Sequence, residues 1–148
     1  MTDVSVRALR GSDAPAARAL VSAHFAGTPY EARLLEQLEL ATSGNDPECR
    51  ALVVGDEPCA LALFGTVAGV NGVVKLHALA GVDESALRAL AAAVRDTDAR
   101  LIICEIADDA PFGVTAQILS ELGFEEAGRV ADFFRDGVDL VVFTSRSL

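Results

Sequence analysis

The sequence predicts an α/β (α+β) fold: a mixed, mostly antiparallel sheet of about seven strands with helices on both faces. Three observations carry the prediction. Short runs that are alternating or continuously apolar recur along the chain, as half-buried and fully buried strands do. Runs with helical spacing and helix-start residues separate some of them. Asn71-Gly72 and Asp136-Gly137 lie between neighbouring strand runs, where Asn-Gly and Asp-Gly favour hairpins. The 148 residues fit one domain, 1–148, which can bury roughly two-thirds of its unfolded surface.

In chain order, "VSVRAL" (residues 4–9) alternates like a half-buried strand. "GSDAP" then offers Ser12 or Asp13 as a cap and Pro15 in a first turn, opening a helix to about Phe25. Thr28-Pro29-Tyr30-Glu31 reads as a capping box with proline at the first helical position. That helix runs to about Ala41, with Leu34, Leu35, Leu38 and Leu40 as its apolar stripe. "TSGNDPE" is a loop by composition. "CRALVVG", "PCALALFGTVAG" and "VVKLHALA" follow as an expected antiparallel meander. Asp83 opens an alanine-rich helix to about Arg95, and "ARLIICEIA" reads as a buried strand. "PFGVTAQILSEL" makes a helix stopped by Gly123, and residues 124–134 and 139–145 form a closing strand pair. The order is β-α-α-β-β-β-α-β-α-β-β.

Composition bounds the function. A net charge of −10 argues against a nucleic-acid partner and against an anionic membrane surface, both of which need clustered Lys and Arg. It suits an amine substrate, or simply solubility. Cys49, Cys59 and Cys104 are widely spaced in apolar surroundings and read as small core residues. "MTDVSV" lacks the basic start of a signal peptide, and no run approaches a membrane span, so a cytoplasmic location is expected. Nucleotide-binding loops, H-E-x-x-H and paired Cys-x-x-Cys are missing from the sequence, so no metal is expected.

The element order, together with "ILSELGFEEAGRVADFFRDGVDLVVF", resembles the GNAT (N-acetyltransferase) superfamily: a helix, an "LGF" corner and a closing hairpin. "LHALA" followed by a helix is similar to that family's central acyl-CoA-binding strand. The resemblance covers nearly the whole chain in element order and is specific from about residue 100 onward. It implies acetyl-CoA as co-substrate, held along the cleft beside residues 75–80 and at Leu79, Ala80, Gly81 and Val82, with a small-molecule amine as acceptor. A homodimer is a further open expectation.

Two departures stand beside the resemblance. The family holds the pyrophosphate with a Q/R-x-x-G-x-G/A loop, whereas the corner here is Gly81-Val82-Asp83-Glu84-Ser85, and the pattern is missing. A carboxylate about 7 Å from a phosphate charge is repelled by roughly 2 kcal/mol at an effective dielectric near 20. The helix terminus returns only about 0.3–1 kcal/mol. Asp83 as N-cap would also occupy the amides a phosphate needs, so this corner is expected to be a poor pyrophosphate site. Secondly, the family's thiolate-protonating tyrosine falls on Leu119, and its asparagine near the helix start falls on Phe112. Arg88 is the only nearby base that could compensate.

His77 and Glu105 are the candidate catalytic residues. His77 shares a strand face with Lys75, and histidine is best placed to act as a base near neutrality. Its alternative is a locally hydrogen-bonded strand residue. Glu105 interrupts "LIICEIA" and would face the same splayed region, or else a solvated face. Cys104 has no basic partner and reads as a buried thiol. His24 suits a helix C-terminus, and Tyr30 borders the acceptor region implied by the resemblance. The functions left open are an acyl-CoA-dependent N-acyltransferase and a non-catalytic module that has lost acyl-CoA binding.

Overall fold

The computed structural model describes residues 5–146. Its elements are β1 (Val6–Ala8), α1 (Ala14–Phe25), α2 (Glu31–Ser43), β2 (Arg50–Val54), β3 (Ala60–Thr66), β4 (Val73–Gly81), α3 (Glu84–Arg95), β5 (Leu101–Ala107), α4 (Gly113–Glu121), β6 (Glu125–Arg135) and β7 (Val138–Arg146). Single 3-10 turns, Gly11–Asp13 and Ala110–Phe112, lead into α1 and α4. One seven-stranded sheet has the order β1-β2-β3-β4-β5-β7-β6. Every neighbouring pair is antiparallel except β4–β5, so the expected α/β fold and its meander and hairpin are observed.

Burial follows from the sequence pattern. β3 is a continuous apolar run, and all of it except Thr66 is buried, as a strand covered on both faces must be. In α3, Ala86, Leu87, Leu90, Ala91 and Val94 form the buried stripe. α1 packs with α2 and α3 with α4, and α1 and α3 both lie against β3 and β4. The resulting core runs unbroken from Ala17 and Phe25 in α1 to Ile118 and Leu119 in α4. No helix among the described residues is long and apolar enough to cross a membrane.

Several local expectations need correction. Val4 lies outside the described residues. Asp13 does not cap α1: its carboxylate accepts from Arg7 Nη1 at 2.7 Å, Arg7 Nη2 at 3.0 Å and the Arg10 amide at 2.7 Å. A buried carboxylate takes charged donors before a neutral cap. The capping box at Thr28 is incomplete, because the Thr28 amide donates to the Phe25 carbonyl and leaves Glu31 nothing to bond; α2 starts three residues later. Leu40 is 45 % exposed, off the stripe set by Leu34 and Leu38. Cys59 is exposed, because it ends the turn before β3 begins. In the β3–β4 connection only Gly72 of the Asn71-Gly72 pair has positive φ, since the loop is too long for a two-residue hairpin turn. Gly123, at φ +88°, does end the last helix region.

Candidate active site at the β4–β5 fork

β4 and β5 pair over only four residues, from Val73↔Leu101 to Leu76↔Cys104, and then part. Beyond that point β5 stays paired with β7 and β4 with β3. The first residues past the fork are His77 and Glu105. The structure thus brings the two candidates together, on one cleft of about 370 Å³.

A bulge aims His77. Leu63 pairs with Ala78 and Phe64 with Leu76, which leaves His77 as the extra residue of β4. Its Nε2 lies 2.9 Å from the Glu48 carbonyl, which can only accept, so Nε2 carries the proton and Nδ1 holds the lone pair. Glu48 reaches this position because the chain at Pro47 and Glu48 crosses directly over Gly65, where any Cβ would strike the Glu48 backbone. Burial lowers the His77 pKa below 6.5, and the cations Lys75 and Arg33 push the same way against the hydrogen bond to Glu48. The imidazole is therefore neutral at pH 7. Glu105 is held by Lys75, with Nζ to Oε2 at 3.2 Å.

The remaining walls come from elements far apart in the chain. Tyr30, the N-cap of α2, and Arg33, Leu34 and Gln37 within it form an i, i+3, i+4, i+7 stripe. Phe112 comes from the turn before α4, and Phe133, Phe134 and Leu140 from the last hairpin. The phenylalanines reach the cleft through a second, larger bulge. Val130 pairs with Leu140 and Arg135 with Val138, so residues 131–134 all stand opposite Asp139. Asp132 adopts φ +54° there, and it is fixed by its amide donating to Asp139 Oδ1 and its Oδ1 accepting from the Gly137 amide. At the rim, Asp109 Oδ2 accepts from Arg135 Nη2 at 2.7 Å and from the Tyr30 hydroxyl at 3.1 Å. Tyr30 also packs edge-on against Phe112 and Phe134. Burial raises the Tyr30 pKa, whereas Arg135 is the chief cause that lowers that of Asp109.

The expected cofactor residues are distributed unevenly. Leu79 and Ala80 are each 1 % exposed within the core, whereas Val82 is 95 % exposed. At Gly81, φ +146°, a Cβ would press on the Cys59 carbonyl and Ala60, so packing on β3 already accounts for the glycine. Asp83 Oδ1 accepts from the Ser85 amide at 3.0 Å and the Ala86 amide at 3.3 Å. Arg88 is paired with Glu121 at 2.7 Å. The Asp83 carboxylate thus takes two of the amides at the start of α3 and Arg88 is already neutralised, so the corner is poorly suited to a diphosphate. His24 does more than oppose a dipole: its Nε2 lies 3.0 Å from the Pro111 carbonyl and ties α1 to the turn before α4. Leu119 is fully buried, and Phe112 packs on Phe25, so neither position supplies a proton. Cys104 is wholly buried and its thiol is pushed up to about 12, which removes it as a nucleophile. Sequence reasoning missed Arg33, Gln37, Phe133 and Phe134. The mixed polar and apolar stripe on α2 and the Phe-Phe doublet in an alternating strand were the available signals.

No protein-family model matches the chain, and no curated protein matches it significantly. Solved structures do match over almost their full length. A protein from Desulfovibrio desulfuricans assigned to the GNAT family of acetyltransferases is similar with a TM-score of 0.77 and 21 % identity, over 96 % of this chain and 98 % of that one. The ribosomal-protein-S18-alanine N-acetyltransferase from Escherichia coli gives 0.72 and 15 %, over 96 % and 92 %. A protein from Salmonella typhimurium assigned as an acetyltransferase, solved with its cofactor acetyl-CoA, gives 0.72 and 13 %, over 96 % and 92 %. The likeness is one of fold.

Proposed function

We propose that this chain, which has the GNAT acetyltransferase fold, is an N-acyltransferase that takes an acyl-CoA donor and a small amine acceptor. The observation that carries the reading is the fork: His77 and Glu105 stand where β4 and β5 part, facing a cleft of ligand size. Past Leu76, β4 has no β5 partner on one edge, which leaves backbone groups at residues 77–80 free to bond an extended arm. Acyl-CoA would supply the activated acyl carbon there. The residues of the chain then do three things. Glu105 and the cleft polar groups bind the amine. The bulge holds His77 with its lone-pair nitrogen available to receive a proton. The Tyr30, Phe112, Phe133 and Phe134 rings exclude water.

His77 suits a late proton transfer. A base with a pKa below 6.5 takes little from a free ammonium group, but an amine nitrogen becomes strongly acidic as it bonds to carbon. Orientation supplies the rest of the rate. The test is acetyl-CoA-dependent thiol release with a panel of small amines. His77→Gln should lower kcat/KM about 10²–10⁴-fold and remove the loss of activity below the imidazole pKa. Full activity of that variant would overturn the role.

A second reading, a ligand-binding domain without catalysis, is favoured by one observation: the Ser85 and Ala86 amides and Arg88 are already occupied. Failure of acetyl-CoA to bind at millimolar concentration would select it.

A further inference from the structure

The cleft carries an unpartnered acceptor, and beside it a positive charge that a plain amine does not satisfy. Gln37 Oε1 is buried and has no hydrogen-bond partner. An acceptor left unmade costs about 1–3 kcal/mol, so a small turn of this cleft-lining side chain toward a ligand donor would be favourable. Arg33, one turn earlier on the same helix, makes no hydrogen bond or ion pair among the described residues, yet its charge is felt at His77. With Lys75 balanced by Glu105, the cleft keeps an unmatched positive charge in a protein whose net charge is −10. A simple amine would be repelled by that guanidinium. A ligand with both an ammonium and a carboxylate would not.

The walls set the rest of the ligand. Phe133 is 57 % exposed and Phe134 38 % exposed, both presented by a bulge fixed through Asp132 and Asp139. Exposed rings held in place this way offer an apolar surface to something that arrives. Building on the acyl-transfer reading of this cleft, we propose that the acceptor is a free amino acid with an aromatic or large apolar side chain. Its carboxylate meets Arg33, its amine meets Gln37 Oε1 on the Glu105 side, and its side chain packs on Phe133 and Phe134. The need for an anion beside the amine separates a free amino acid from a peptide N-terminus, whose α-carboxyl is an uncharged amide. A volume of about 370 Å³ also suits a small molecule.

Binding is measurable without any acyl donor. Calorimetric titration of the full chain with L-phenylalanine, L-phenylalaninamide and glycine should give phenylalanine the tightest binding. The amide and glycine should each be weaker by about tenfold or more, the cost of a charge-assisted pair or of the apolar contact. Arg33→Gln, at an exposed helix position, should abolish the difference between acid and amide while leaving thermal unfolding unchanged. Gln37→Leu should weaken both. Equal binding of acid and amide to the natural chain, tighter binding of the amide, or no binding of any of them would overturn the proposal. Titration with acetyl-CoA alone keeps the two readings apart. If phenylalanine binds and acetyl-CoA does not, the acceptor site stands and acyl transfer falls. If acetyl-CoA is consumed with amines that lack a carboxylate in preference to phenylalanine, acyl transfer stands and this proposal falls.

Discussion

At the scale of single residues, charge pairing decides more than local propensity. Arg7 donates to both oxygens of Asp13 and to the Gly55 and Asp56 carbonyls, which binds β1 to the turn after β2. Asp13 is 5 % exposed. Arg7→Met would leave that carboxylate with only the Arg10 amide, so the variant should unfold at a clearly lower denaturant concentration. The Arg7 hydrogen bonds lower the Asp13 pKa to about 2. Because the folded-state value is depressed, the stability it contributes is complete above the unfolded value of about 3.9 and is lost as pH falls toward about 2. Acid titration should therefore show a steeper loss in the natural chain than in Asp13→Asn. Parallel curves would remove Asp13 from that role. None of this was legible in the sequence, where Asp13 stands four residues into "RGSDAP" with every appearance of an N-cap.

Elements whose ends are decided by nearby residues were the readable ones. Asp83 caps α3 as its position before "ESALRAL" implies, and Gly123 takes the positive φ that a helix stop needs. The strand runs of the meander were readable for the same reason. The cleft was not, because it is assembled from α2, the fork and the last hairpin, and its two bulges show only in pairing register. His77 and Glu105 could be singled out and set facing one splayed region, but the bulge and the fork that place them could not be seen. Gln37 was visible only as one polar member of the stripe on α2. At the α3 corner the consequence is testable. Acetyl-CoA should bind with a dissociation constant above about 100 μM, and Asp83→Asn with Glu84→Gln should tighten it modestly. Lowering the salt should weaken binding to the natural chain by unscreening the repulsion. Calorimetry that finds binding tighter than about 10 μM, unaffected by the double substitution, would show the diphosphate held elsewhere.

For the whole molecule, the four-residue ladder between Val73–Leu76 and Leu101–Cys104 joins two bodies: the β1–β4 meander and the β5–β7–β6 sheet. It is the sheet's one parallel pairing, and it closes only after α3 has crossed over. Non-local, parallel pairing is costly to close early in folding. The cleft therefore opens at the join between the two bodies, and the expected outcome is that this parallel join gives way early in unfolding. Ile102, 2 % exposed, sits in this join between Val74 and Ser145. Ile102→Ala should cost about 2–5 kcal/mol, and stopped-flow kinetics should place most of that loss in faster unfolding with little change in folding rate. A mainly slower folding rate would instead put the join in the nucleus. With the expected outcome, an amino acid that bridges the two bodies across the fork would slow unfolding, acting on the lifetime of the fold as a clasp acts on a hinge.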